Sequence, residues 1–113
     1  MEITTMAKNY VQEGMTISIT NSGDTAILSG DPVVVGDLIA VAITDILPSS
    51  VADGFAAGVF LLPKLETDDI AVGKKVALKD GKIQLSATGA VAAGRAWDAA
   101  PAGSSFVAVK ING

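Results

Sequence analysis

Two stretches of this 113-residue chain carry residue types whose spacing imitates known chemistry. Gly89-Ala90-Val91-Ala92-Ala93-Gly94-Arg95-Ala96 has the glycine spacing of a phosphate-binding loop. Such a loop needs Lys and then Ser or Thr after its second glycine, to reach the phosphates and magnesium. Those places hold Arg95 and Ala96, so the stretch is read as a glycine-bounded strand. Asp68-Asp69, with Glu66 nearby, offers oxygens to a hard cation. Calcium takes about six to eight oxygens, usually on a patterned loop. That pattern is missing, and the three acids are read as a solvated turn.

The rest of the reactive inventory is sparse. Histidine and cysteine are both absent. This removes His-dependent triads, thiol nucleophiles, disulfides and the common zinc and iron ligands. None of the twelve Asp and Glu residues forms a pair that stands out for acid–base work, and one Trp, one Tyr and three Phe leave little for a sugar-stacking platform. The reading is no enzyme, no catalytic residue, no cofactor and no metal. Eight Lys and Arg against twelve Asp and Glu give a net charge of −4. The cations are scattered along the sequence and only Lys74-Lys75 are adjacent, which argues against nucleic acid as a partner. The longest run without a charge, Ile83 to Gly94, is twelve residues. A membrane-spanning helix needs about 20 apolar residues, so no membrane partner is expected. Met1 to Thr5 shows no basic region followed by an apolar stretch, and no secretory signal is expected.

The elements that must carry any surface are short strands. A chain of this length predicts one domain, burying roughly 65% of its unfolded surface. Met15, Ile17 and Ile19 alternate with polar residues, which puts them on one face of a strand. Val33-Val34-Val35 and Leu38 to Ile43 flank Gly36-Asp37, a pair suited to a type II′ hairpin turn because glycine takes positive φ cheaply. The second run is almost continuously apolar, as in a strand buried on both faces. Val76 to Lys79 and Lys82 to Leu85 flank Asp80-Gly81. That two-residue loop predicts the pairs Lys79–Lys82, Leu78–Ile83, Ala77–Gln84 and Val76–Leu85. Val91 to Trp97 and Phe106 to Ile111 are further strands, and Phe55 to Leu62 is read as strand or loop. Helical periodicity is absent over any three turns. The fold class is all-β: a small barrel or sandwich of short antiparallel strands with tight hairpins. Trp97 is read as a core residue. Tyr10, within a polar N-terminal segment, is read as an interface contact.

Several pieces in order also carry a family resemblance. They are Met6-Ala7-Lys8-Asn9-Tyr10-Val11-Gln12-Glu13-Gly14, the strand Met15 to Thr20, Ser29-Gly30-Asp31-Pro32-Val33-Val34-Val35-Gly36, and Ile39 to Asp45. Gly58-Val59-Phe60-Leu61-Leu62-Pro63-Lys64, Val72-Gly73-Lys74-Lys75-Val76 and Val107 to Gly113 follow. Together they resemble the phage capsid cement, or head decoration, proteins over nearly all of Met6 to Gly113. Met1 to Thr5 and the run Asp45 to Asp53 depart from the family pattern.

The resemblance implies a structural virion protein on the outer capsid surface of a tailed phage or prophage, made in the bacterial host cytoplasm. Its implied partner is the major capsid protein lattice. The exposed edges of so small a β-fold need cover, which predicts a homo-oligomer, with a trimer favoured. Residues 1–14 are read as an N-terminal arm and 15–113 as the β-rich decoration domain. A terminal polar segment ahead of the first strand suits strand addition to a shell protein's sheet edge. Lys8, Tyr10 and Gln12 then share one face of the added strand, with Asn9 and Val11 on the other. The alternative is a small β-barrel protein- or ligand-binding module without catalytic activity. Within that class, a lipoyl or biotinyl carrier needs Met-Lys-Met or Asp-Lys-Ala at a hairpin tip, and Lys79 and Lys82 sit in neither.

Overall fold

The computed structural model describes residues 14–85 and 88–113. Among them are nine strands and no helix: β1 (Thr16–Thr20), β2 (Pro32–Val35), β3 (Leu38–Ala42), β4 (Val51–Phe55), β5 (Val59–Pro63), β6 (Lys75–Lys79), β7 (Lys82–Gln84), β8 (Val91–Ala96) and β9 (Phe106–Ile111). They form two antiparallel sheets, ordered β1-β4-β3-β2 and β5-β9-β8-β6-β7. The all-β expectation resolves to a sandwich of two sheets: β1 and β2 are the edges of one, β5 and β7 of the other, and just past β5 a parallel bridge joins Lys64 to Ile83 of β7. Proline stands in two of those edges, Pro32 in β2 and Pro63 in β5, where a missing N–H costs the ladder least.

β3 is the shared wall. Ile39, Ala40, Val41 and Ala42 are all buried, as the continuous apolar run predicts. Period-two alternation divides them between two cores. Ile39 and Val41 pack with Leu62, Ile70, Val76, Leu78, Ile83, Val107, Val109 and Ile111 against the five-stranded sheet. Ala40 and Ala42 pack with Ile19 and Ile46 on the other side. The small alanines there allow close approach. A Cβ on Gly54 of β4 would collide with the Ile19 side chain and lie 3.1 Å from the Ala40 Cβ.

Both predicted hairpins form. Val35 opposes Leu38 across a turn in which Gly36 has φ 62°. Lys79 opposes Lys82 across Asp80 (φ 53°) and Gly81 (φ 76°). Positive φ at both central residues matches the right-handed twist of the flanking strands. Leu78–Ile83 and Ala77–Gln84 also pair as predicted. The fourth predicted pair does not form. β7 ends at Gln84, and the Leu85 N–H donates to Asp68 Oδ2 at 2.9 Å. Leu85 still packs against the larger core.

Three other expectations are corrected. Met15 is exposed and precedes β1, leaving Ile17 and Ile19 to face inward. The segment Phe55 to Leu62 is split, because β4 ends at Phe55 and β5 begins at Val59 in the other sheet. Trp97 is 55% exposed. It lies just past β8, where its N–H donates to the Ala108 carbonyl at 2.8 Å. That puts it opposite Ala108, out of phase with the inward Ala93 and Ala96.

Three polar side chains join loops to these sheets. Ahead of Val41, from Leu38 to Ala40, β4 does not pair with β3. The Asn112 side chain takes that place: Oδ1 accepts from the Ile39 N–H (3.0 Å), and Nδ2 donates to the carbonyls of Ile39 (2.7 Å) and Ala56 (2.9 Å). An amide thus acts as a one-residue strand between the sheets, and φ of 56° suits Asn better than most residues. Asn112 is exposed at the sheet margin, whereas Asn21 is buried; its Nδ2 donates to the carbonyls of Thr25 and Ile46 and its Oδ1 accepts from the Gly23 N–H. Lys64 is 1% exposed, and its Nζ donates to the carbonyls of Leu65 (2.8 Å) and Ser104 (3.2 Å).

Candidate functional site

The outer face of the five-stranded sheet carries the most distinctive surface. In the β5–β9–β8 register, Leu61 opposes Ala108, and Ala108 opposes Trp97 through the Trp97 N–H bond. Leu61 is 68% exposed, so this row presents a leucine and a tryptophan to solvent. Pro63 pairs with Phe106 on one side of it, and exposed Val72 borders Trp97 in a shallow cleft of about 450 Å³.

The neighbouring row is cationic. Val59 opposes Lys110, Lys110 opposes Arg95, and Arg95 opposes Lys75. Three cations therefore stand side by side across β9, β8 and β6, with Lys74 next in the chain. Like charges placed directly opposite are unfavourable in a sheet. Arg95 Nη1 donates to the Gly73 carbonyl at 3.3 Å, an exposed contact that leans the guanidinium toward the turn before β6. Arg95 also lines a second cleft of about 460 Å³, together with Lys75, Asp37 and Asn112. The register thus gathers cations that are dispersed in the sequence.

Gly94 allows this gathering. A β-bulge falls between Val76 and Ala77, and Gly94 adopts φ 142° beside it. A Cβ there would collide with the Lys110 carbonyl. The bulge leaves Ala93 unpaired in the β6 ladder and turns Arg95 outward in line with Lys75 and Lys110.

The other residues singled out by sequence play different parts. Lys8, Asn9, Tyr10, Val11 and Gln12 lie outside the described residues. The glycine-spaced stretch Gly89 to Ala96 is β8, a strand as read. Asp68 holds the end of β7 through Leu85. Among the described residues, no three Asp, Glu, His or Cys side chains come together to hold a metal ion. Lys79 donates to the Thr88 carbonyl at 2.9 Å. The sequence reading missed the cation row. Its only signal was one Lys or Arg at an alternate position in each of three strands, which becomes a row only once their register is known.

A sheet face with exposed Leu and Trp beside a row of cations suits contact with an acidic, partly apolar protein surface. Comparison with known proteins adds identity. A family model described as phage cement protein matches residues 11–111. No curated protein matches the chain. Among solved structures, the chain is similar to the N base of the head fiber of bacteriophage phi29, with 18% identity and a TM-score of 0.47 over 87% of this chain and 95% of that one. The family match spans nearly the whole chain, and the protein belongs to the phage cement protein family.

Proposed function

We propose that this protein coats the outer surface of a tailed-phage or prophage head by binding the lattice of its major capsid protein. The observation that carries this is the match to the cement family over residues 11–111. The role is structural. The protein has no catalytic activity and takes no cofactor, metal or nucleic acid. It is made in the host cytoplasm and resides on the capsid surface.

The division of labour follows the chain. Residues 1–14 form the arm and 15–113 the decoration domain. The arm adds a strand to the edge of a shell protein's sheet, with Lys8, Tyr10 and Gln12 on one face and Asn9 and Val11 on the other. Main-chain hydrogen bonds supply affinity and alternate side chains supply selectivity. The assembled form is a homo-trimer, so three arms bind one lattice site and many modest contacts act together.

Co-sedimentation with expanded heads assembled without this protein tests the reading. Full-length protein should bind saturably, and a folded variant lacking residues 1–13 should lose most of that binding. Undiminished binding by the truncated protein would remove the arm from the mechanism. Absence of binding by the full chain would overturn the capsid role and favour the small binding-module alternative.

A further inference from the structure

The charges of this chain are divided between its two sheets. From Gly14 to Pro63, a span holding all of β1 to β4, there are five aspartates (Asp24, Asp31, Asp37, Asp45 and Asp53) and no Lys or Arg. Seven of the eight cations lie at Lys64 or beyond. The four-stranded half is purely acidic, and the five-stranded half carries the row Lys75–Arg95–Lys110.

The acidic half also has an apolar tip. The bridge Ile27–Ile46 joins two loops and turns both isoleucines inward. The next residues outward, Leu28 and Leu47, are 55% and 65% exposed. Acids surround them in fixed positions. Asp31 Oδ2 accepts from the Leu28 N–H at 3.0 Å, and Asp45 Oδ1 accepts from the Ser29 N–H at 2.8 Å. Asp24 lies on the turn that Asn21 ties to Ile46.

The two surfaces are complementary in kind: two exposed leucines among carboxylates, and an exposed leucine and tryptophan beside three cations. They lie on different sheets. We propose that the acidic tip of one copy docks on the cationic outer face of a second, with Leu28 and Leu47 against Leu61 and Trp97. The contact is heterologous, because different patches meet, and it propagates until a ring closes. It supplies counter-charges for the opposed cations of the sheet. It deepens the homo-oligomer in the reading above by naming its contact, and it requires no shell.

Analytical ultracentrifugation of the full chain tests this without capsids. At about 100 µM and low salt, where even weak contacts are populated, the mass should exceed the 11.4 kDa of one chain. It should fall toward that value as salt rises from about 50 to 500 mM. Arg95→Glu with Lys110→Glu removes the cationic face, and Asp24→Lys with Leu47→Lys removes the tip. All four residues are exposed, and circular dichroism checks folding. If either pair fails to fold, Trp97→Asp or Leu28→Lys replaces it. Each variant alone should be monomeric. Their mixture should give a 1:1 dimer, because one variant keeps its tip and the other its face. A monomeric wild type overturns the proposal. A multimer unaffected by either variant overturns this contact while leaving the homo-oligomer intact. Loss of head binding by the Arg95/Lys110 variant with unchanged self-association assigns the face to the shell instead, and also overturns it.

Discussion

The four-stranded and five-stranded sheets meet across β3, a strand of the first that faces both cores, but they are built to different ends. Among the described residues, the core against the five-stranded sheet holds thirteen buried residues, most of them Ile, Leu and Val. The core on the other side of β3 holds four, two of them alanine. Burying a large aliphatic side chain stabilises by about 1.5–3 kcal/mol, and an alanine methyl by far less. The five-stranded half therefore supplies most of the stability. The four-stranded half uses small residues to bring strands close, and it depends on polar loop fastenings such as Asn21 and Ser29. Its charge differs as sharply, with aspartates alone against the cation row of its neighbour. One strand in which Ile39 and Val41 alternate with Ala40 and Ala42 suffices to join two such regions.

The largest effect is expected at Gly94. Gly94→Ala sets a methyl against the Lys110 carbonyl in a backbone conformation that L residues rarely adopt. The loss should be about 4 kcal/mol or more, seen as insoluble protein or a collapse of Tm. Gly36→Ala also has positive φ but open space around its Cβ, and it should cost only about 1 kcal/mol.

Asn112 tests how the halves are joined. Asn112→Ala leaves the Ile39 N–H and the Ile39 and Ala56 carbonyls without this amide. The expected loss is about 3 kcal/mol, since groups left unsatisfied cost more than the bonds themselves contribute. Amide exchange should also quicken in β3 and β4 before it does in β8 and β9. Uniform exchange across both sheets would mean that the packing of β3, and not the amide, couples them.

Neighbours on β3 give the sharpest contrast. Ile39→Ala opens a cavity in the larger core and should cost about 3 kcal/mol. Ala40→Gly faces the smaller core and should cost about 1 kcal/mol. Chemical denaturation measures both, and equal losses would contradict the unequal cores. The smallest effect belongs to Trp97. Trp97→Ala should change stability by less than about 0.5 kcal/mol, because the ring is largely in solvent. A loss like that of Ile39→Ala would return Trp97 to the core.

Much of the fold was legible where turn chemistry and alternation agree. Asp80-Gly81 fixes one register, and the aliphatics around it all face inward. β4 was not legible, because Asp53 and Gly54 interrupt any apolar alternation from Val51 to Phe55. Gly54 is in a strand because it pairs with Ile17 and Ala42, and Ile19 and Ala40 leave little room for a Cβ there, long-range facts absent from local pattern. Trp97 was misjudged for a related reason. Small residues dominate Val91 to Ala96, so alternation gave no phase, and a bulge shifted what phase there was. The cation row depends on three registers at once and was invisible for the same cause. The family resemblance did not suffer in this way, since it rests on the order of many pieces.

The central claim is that this protein binds the outside of a phage head. Cryo-electron microscopy of heads assembled without it, then saturated with the purified chain, tests that most directly. The expected result is added density on the outer surface at every equivalent lattice position, fitting the two-sheet sandwich. An unchanged, bare lattice at saturating protein would contradict it.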